Sequence, residues 1–326
     1  MNLSRERLTA ESGATGFRPD MLEKVARLLA LLDALHAHPG LKGKLALKGG
    51  SALNLFLANV PRLSVDIDLN YVASEERDAM LAERPVVEQA VAAVCGREDF
   101  TIRRPPADEH AGGKWALRYQ SPLGQGGNLE VDLNFMFRVP LWSVKPLRSN
   151  PVGVFQARAF PVLDLHELAA GKLAALLARH ASRDLFDSHQ LLGRDDLDQD
   201  KLRVAFVVYG ALNRKDWRKV RVADVSFERG ELEQQLLPLL RDGALRAGPK
   251  TWAKTMQREV RERMEVVLPL RKEEREFLDL VLDEGRIAPG LITDDAALGK
   301  RIARQQMLLW KTQNVREHRR EREREK

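Results

Sequence analysis

Apolar positions recur every three or four residues from about Asp20 to His38, where Leu22, Val25, Leu28, Leu29, Leu32 and Leu35 line one side of a helix. Asp20 is the expected N-cap and Pro39-Gly40 the expected stop. The pattern then changes. A short apolar run, Leu45–Leu47, leads into Lys48-Gly49-Gly50-Ser51, and Ala52–Leu57 reads as a short helix. From Val65 to Leu69 apolar and acidic residues alternate, which puts Asp66 and Asp68 on one face of a strand and Ile67 on the other. A helix follows between about Ser74 and Cys95, with Pro85 as a restart or kink. Strands are expected at Phe100–Arg103, Trp115–Gln120, Leu129–Phe137 and Phe155–Val162, with Gly124-Gln125-Gly126-Gly127 turning a hairpin between the second and third.

Beyond residue 160 only helical periodicity remains, over Asp164–Arg179, Ser182–Leu192, Lys201–Leu212, Glu231–Leu240, Thr255–Leu268, Lys272–Leu282 and Ala296–Trp310. The expected fold is α+β. A mixed, mostly antiparallel sheet with flanking helices occupies residues 1–160, and an all-helical domain with a basic C-terminal arm occupies 161–326.

Composition narrows the class. The chain has 326 residues, 44% hydrophobic and 31% charged, which suits two globular domains and excludes global disorder. A lone cysteine, Cys95, excludes an intramolecular disulfide and a multi-cysteine zinc site. The polar start of the chain shows no signal peptide, and Leu28–Leu35, broken by Asp33, falls far short of the roughly 20 residues that span a bilayer. No membrane association and a cytoplasmic location are expected. Net charge is +6, and residues 300–326 carry all of it, with ten Lys/Arg against four Glu. Such a run is either a helical arm that grips phosphates or a solvated helix end.

Several chemistries fail on residues. Gly49-Gly50-Ser51-Ala52 continues with Leu53, so it is no nucleophile elbow. His166-Glu167-Leu168-Ala169 continues with Ala170, so it is no zincin helix, and no phosphate-binding P-loop occurs. What remains is a glycine pair and Ser51 opening a helix, with an Asp-x-Asp strand fifteen residues later. Unpaired N–H groups at a glycine-rich helix start can hold phosphate oxygens. Two carboxylates on one strand face are the hard oxygen donors that Mg²⁺ takes. A third from a neighbouring strand would complete a two-metal clamp, and Asp132, central in Leu129–Phe137, is the candidate. Asp132 equally suits the exposed polar face of an antiparallel sheet. Trp217 and Trp252, beside basic residues, suit either base stacking or core edges.

The stretches Lys48-Gly49-Gly50-Ser51-Ala52-Leu53 and Arg62-Leu63-Ser64-Val65-Asp66-Ile67-Asp68-Leu69 resemble the signature of the polymerase-beta-type nucleotidyltransferase superfamily. Within it the resemblance is to the AbiEii/AbiGii toxins of abortive-infection toxin–antitoxin pairs. His166–Leu173 with Arg183-Asp184-Leu185-Phe186-Asp187 is similar to the Lys-then-Arg-Asp motif of that family. The resemblance implies nucleotide contacts at Gly49, Gly50, Ser51 and Lys172, metal ligands at Asp66 and Asp68, and a catalytic set of Asp66, Asp68, Lys172 and Asp184. Arg62 and Ser64 would hold Asp66 or touch substrate.

The implied reaction moves NMP from an NTP to an acceptor with Mg²⁺, in a cleft between the two domains. Some relatives modify the 3′ end of tRNA, and the basic arm makes RNA the expected acceptor here. A separately encoded antitoxin is the expected partner. The rival expectations are modification of a protein or small molecule, and a non-catalytic RNA-binding module on the same fold.

Overall fold

The computed structural model describes residues 3–106, 111–245 and 248–324. They fall into two compact units, neither continuous in sequence. The first comprises Met1–Arg138, Val144–Leu163 and Glu233–Pro249, and the second Val139–Ser143, Asp164–Leu232 and Lys250–Lys326. The division is interleaved, an exchange that one boundary near residue 160 does not include.

The first unit is built on a seven-stranded mixed sheet in the order β3-β4-β5-β2-β1-β7-β6. Its strands are β1 (Leu45–Lys48), β2 (Asp66–Tyr71), β3 (Thr101–Arg104), β4 (Gly112–Tyr119), β5 (Gly127–Asn134), β6 (Lys145–Leu147) and β7 (Phe160–Val162). Two pairs, β2–β5 and β1–β7, are parallel, and the remaining pairs are antiparallel. Alternation along β5 buries Leu129, Val131 and Leu133, and along β4 it buries Trp115, Leu117 and Tyr119. β5 packs against α2 (Pro19–Ala37), whose Leu22, Val25, Leu28, Leu29, Leu32 and Leu35 are all buried. Each fully buried leucine contributes about 1.5–3 kcal/mol, so this layer dominates the unit's stability.

Local chemistry explains most departures from the sequence reading. The chain enters α2 through Pro19 at its first turn, with Asp20 inside that turn and not at the cap. Pro85 does not interrupt the helix α3 (Arg77–Arg97). It lies on the exposed face, where water can take the carbonyl left without a donor. A helix α1 (Arg5–Thr15) precedes α2, opened by the Ser4 side chain accepting from the Arg7 N–H at 3.2 Å. The strand expected over Phe155–Val162 shortens to β7, because Phe155 closes a small bridge back onto Val152.

The second unit is helical. It contains α4 (Leu165–Arg179), α5 (Ser182–Leu192), α6 (Gln199–Ala211), α7 (Pro249–Arg263), α8 (Lys272–Asp279), α9 (Ala296–Ala303) and α10 (Gln306–Arg324). The helix expected over Ala296–Trp310 divides at Arg304–Gln305, where the buried Gln305 donates its amide to the Val139 carbonyl. Asp164 caps α4 by accepting from the His166 N–H at 2.9 Å. Trp217 is fully buried beside Phe206, their ring centroids 5.2 Å apart, so it is a core residue and no stacking platform. Trp252 packs on Phe186. Among the described residues no helix is long and apolar enough to cross a membrane.

Candidate active site

β1 ends at Lys48, and Gly49 turns the chain with φ +71°, a conformation that favours glycine. The helical turn Gly49–Ser51 continues as a π-helix over Ala52–Leu57. A Cβ at Gly49 would fall 2.1 Å from Asp68 Oδ2, so the Asp68 carboxylate lies directly against the bend. A Cβ at Gly50 would fall 2.8 Å from Ser64 Oγ and 3.1 Å from Arg62 Nη2. The bend therefore lies against Arg62, Ser64 and Asp68 of the downstream motif. Ser51 is buried, and its hydroxyl donates to the Asp66 carbonyl at 2.5 Å. It fastens the bend to the start of β2. Arg62, also buried, donates to the Leu63 carbonyl at 2.8 Å.

The strand register gathers the acids. Lys48 pairs with Asp68 across β1–β2, Asp68 with Asp132 across β2–β5, and Asp132 with Lys114 across β5–β4. Directly opposed residues share a face, so four strands carry one row, Lys48–Asp68–Asp132–Lys114. In the next row Asp66 faces Glu130, which accepts an ion pair from Lys114 Nζ at 2.9 Å. Burial pushes the Asp132 carboxyl up, Asp68 adds to that, and Lys48 and Lys114 oppose it. Burial likewise draws the Lys48 ammonium down against the pull of Asp68 and Asp132. Lys48 Nζ also lies 5.4 Å from the Phe137 ring centroid. A groove of about 830 Å³ opens over this side of β4 and β5, lined by Arg104, Lys114, Glu130, Asp132 and Asn134 and floored by Gly112-Gly113. That volume is of the size that takes a small ligand.

Asp68 and Asp132 are the hard oxygen donors that could hold a divalent ion. Among the described residues no group of three or more His, Cys, Asp or Glu side chains closes into a metal cage. Mg²⁺ is commonly held by one or two carboxylates plus substrate phosphates, so the Asp68–Asp132 pair suffices as a protein donor set. The buried Asn70 Oδ1 has no hydrogen-bond partner and follows Asp66 and Asp68 on the same strand face.

Lys172 and Asp184 belong to the second unit. Lys172 Nζ on α4 meets Asp184 Oδ1 at 3.1 Å and Asp187 Oδ2 at 2.8 Å on α5. Arg179 adds two bonds to the Asp184 carboxylate at 2.6 and 3.1 Å. Both aspartates are fully buried, whereas the Arg179 side chain is 64% exposed. Burial drives the Asp184 carboxyl upward, but Lys172 and Arg179 outweigh it and hold the group below the usual carboxylate range. The same α4 motif carries Glu167, which accepts from the Trp142 N–H at 3.3 Å and from the Tyr209 hydroxyl at 3.2 Å. Burial pushes that carboxyl up to about 7.

The sequence-expected residues thus form two groups, one per unit: Gly49, Gly50, Ser51, Asp66, Asp68 and Asp132 in the first, Lys172 and Asp184 in the second. A family model described as nucleotidyl transferase AbiEii toxin, type IV toxin–antitoxin system, matches residues 30–280, more than half the chain. The chain belongs to that family. It is a nucleotidyltransferase toxin of a type IV toxin–antitoxin system. Its fold is similar to that of MenT4, a nucleotidyltransferase toxin from Mycobacterium tuberculosis H37Rv. The TM-score is 0.60 at 18% identity over 93% of this chain and 99% of that one. No curated protein matches by sequence.

Sequence reasoning gave no role to Lys48, Lys114 or Asp187. Lys48 stood inside the glycine motif, but its place in the row follows only from strand register. Asp187 was legible as the second acid of Arg183-Asp184-Leu185-Phe186-Asp187, one helical turn from Asp184.

Proposed function

We propose that this AbiEii-family toxin transfers a nucleoside monophosphate from an NTP to the 3′ end of tRNA, with Mg²⁺ at the carboxylates of β2 and β5. The observation that carries this reading is the contact of the Asp68 carboxylate with the Gly49 bend, beside Asp132 in register. An acceptor hydroxyl oxygen bonds to the α-phosphorus. The bond from that phosphorus to the bridging oxygen breaks, pyrophosphate leaves with that oxygen, and the hydroxyl proton passes to a site carboxylate or solvent. When bound, Mg²⁺ supplies charge neutralisation for the leaving pyrophosphate and activation of the hydroxyl.

The chain's own residues have assigned roles in this reading. Asp66, Asp68 and Asp132 hold the metal, and the backbone of Gly49 and Gly50 cradles phosphate. Ser51 acts first as the fastener of β2, since its proton is engaged by Asp66. Lys172 is held by Asp184 and Asp187 at 3.1 and 2.8 Å, and its proposed role is to contact phosphate.

The RNA acceptor is supported by α10, where Arg316, Arg320 and Arg324 follow one another at four-residue spacing on a single exposed face. Of the basic tail, Glu325 and Lys326 lie outside the described residues. The helix is anchored at its start, since Lys311 Nζ donates to the carbonyls of Ala211 and Asn213 at 2.7 and 2.5 Å and Thr312 is buried. An intracellular site of action and a cognate antitoxin complete the proposal.

The test is incubation with each labelled NTP, Mg²⁺ and total cellular RNA. Label is expected in tRNA-sized species and is lost in Asp66→Asn. Label on protein alone would overturn the RNA acceptor while keeping the transferase.

A further inference from the structure

The turn between α4 and α5 is held from outside. His180 ends α4 in the left-handed region, with φ 58°, a conformation uncommon for residues other than glycine. Such a residue persists where its surroundings over-determine it. Here they include one short segment, Ser226–Glu231. Ser226 Oγ is hydrogen-bonded to His180 Nδ1 at 2.8 Å, and the Glu228 N–H donates to the His180 carbonyl at 3.2 Å. Glu231 Oε2 accepts from the Ser182 N–H at 2.7 Å. That last bond is a cap. The first N–H groups of a helix have no partner within it, and Ala181, at the N-cap of α5, supplies no side-chain bond to them. A carboxylate 49 residues further along the chain takes that place, where the positive end of the helix favours an anion.

The turn joins the two halves of one motif. α4 carries Lys172 and Arg179, and the first two turns of α5 carry Asp184 and Asp187. Lys172 Nζ lies 3.1 Å from Asp184 and 2.8 Å from Asp187, so the place of its ammonium follows the place of α5. All these residues, Ser226–Glu231 included, belong to the second unit. We propose, on the reading of Lys172 as a phosphate contact, that Ser226–Glu231 is a clasp on this turn and that Glu231 is a positioning residue for nucleotide binding. By capping α5, Glu231 holds Asp184 and Asp187 where they aim the Lys172 ammonium. Glu231 acts through these groups and not on the nucleotide itself.

The experiment is calorimetric titration of the whole protein with a non-hydrolysable NTP and Mg²⁺, at equal concentrations of folded chain. Glu231→Ala is expected to weaken nucleotide binding by about fivefold to tenfold, the factor that one lost helix cap is worth. Glu231→Gln keeps an oxygen that can accept from the Ser182 N–H, and is expected to restore most of the affinity. Lys172→Gln is expected to weaken binding at least as far as Glu231→Ala. The two together are expected to weaken it no further than Lys172→Gln alone, because both act through one ammonium. A folded Glu231→Ala with wild-type affinity, a Glu231→Gln as weak as Glu231→Ala, or losses that add in full with Lys172→Gln would each overturn the proposal. Glu231→Asp, one methylene shorter, is expected to show an intermediate loss and keeps the test open should Glu231→Ala fail to fold; wild-type affinity there would overturn the proposal as well. Wild-type affinity in Lys172→Gln would remove the reading of Lys172 itself, and this inference with it.

Discussion

The two units handle acidic side chains in opposite ways. On the sheet, Asp68 and Asp132 stand in register and, among the described residues, close no ion pair within 4.0 Å. In the helical unit, Asp184 is fully buried and held by Lys172 at 3.1 Å and by two bonds from Arg179. The first arrangement leaves valence for a ligand, at the cost of like-charge repulsion. The second pairs its buried acids with basic side chains, so removing one partner leaves buried charge uncompensated. Proximity of charged residues therefore does not by itself mark a ligand site. What distinguishes the sheet acids is their register without an ion pair among the described residues.

Removing an uncapped acid should harm function and spare the fold. Asp68→Asn is expected to lower nucleotidyl transfer by on the order of 10³-fold. Its midpoint of urea unfolding should stay at or above the wild-type value, because one of two repelling charges is gone. A clear loss of stability would erase the contrast.

Removing a capped acid should do the reverse. Asp184→Ala removes a buried acid that Lys172 and Arg179 share, so a destabilisation of about 3 kcal/mol is expected in urea titration. A neutral effect on stability would show that the pairing is there for catalysis only.

Gly49→Ala sharpens the boundary between the bend and the acids. It combines a positive φ with a Cβ 2.1 Å from Asp68 Oδ2, and should cost about 1–3 kcal/mol while displacing that carboxylate. Activity is expected to fall more than stability alone would explain, measured at matched fractions folded.

A pH-dependent effect concerns Glu167. Its carboxyl, about 4.5 when free, is pushed up to about 7 by burial. Between those values the folded state keeps a proton that the unfolded chain has released. This group's stabilisation is present below about pH 4.5 and is lost as pH rises to about 7. Glu167→Gln should therefore flatten a slope of at most about 1.4 kcal/mol per pH unit, read from urea midpoints at pH 5 and pH 8.

Much of this architecture is legible in the chain. The Val65–Leu69 alternation places both acids on one strand face, and the periodicity of Leu22–Leu35 gives the core helix. Ser182–Leu192 is a helix at the expected residues. The bend, the acids and the Lys-then-Asp motif are all named by short local patterns. The rest is long-range. No local signal tells that Lys48 and Lys114 end one row, since β1 and β4 meet β2 and β5 only through tertiary pairing. The return of Glu233–Pro249 to the first unit is fixed by contacts such as the Leu63 N–H donating to the Leu239 carbonyl at 2.8 Å. The first helix was hidden because Leu8 is its only buried residue and its polar sequence has no apolar stripe.

The most direct test is a crystal structure with Mg²⁺ and a non-hydrolysable NTP. The account predicts an ion about 2.0–2.1 Å from an oxygen of Asp68. It also predicts a second contact from Asp66 or Asp132, with triphosphate oxygens against the backbone of Gly49 and Gly50. A triphosphate seated away from β2, or an ion that touches none of Asp66, Asp68 and Asp132, would contradict it.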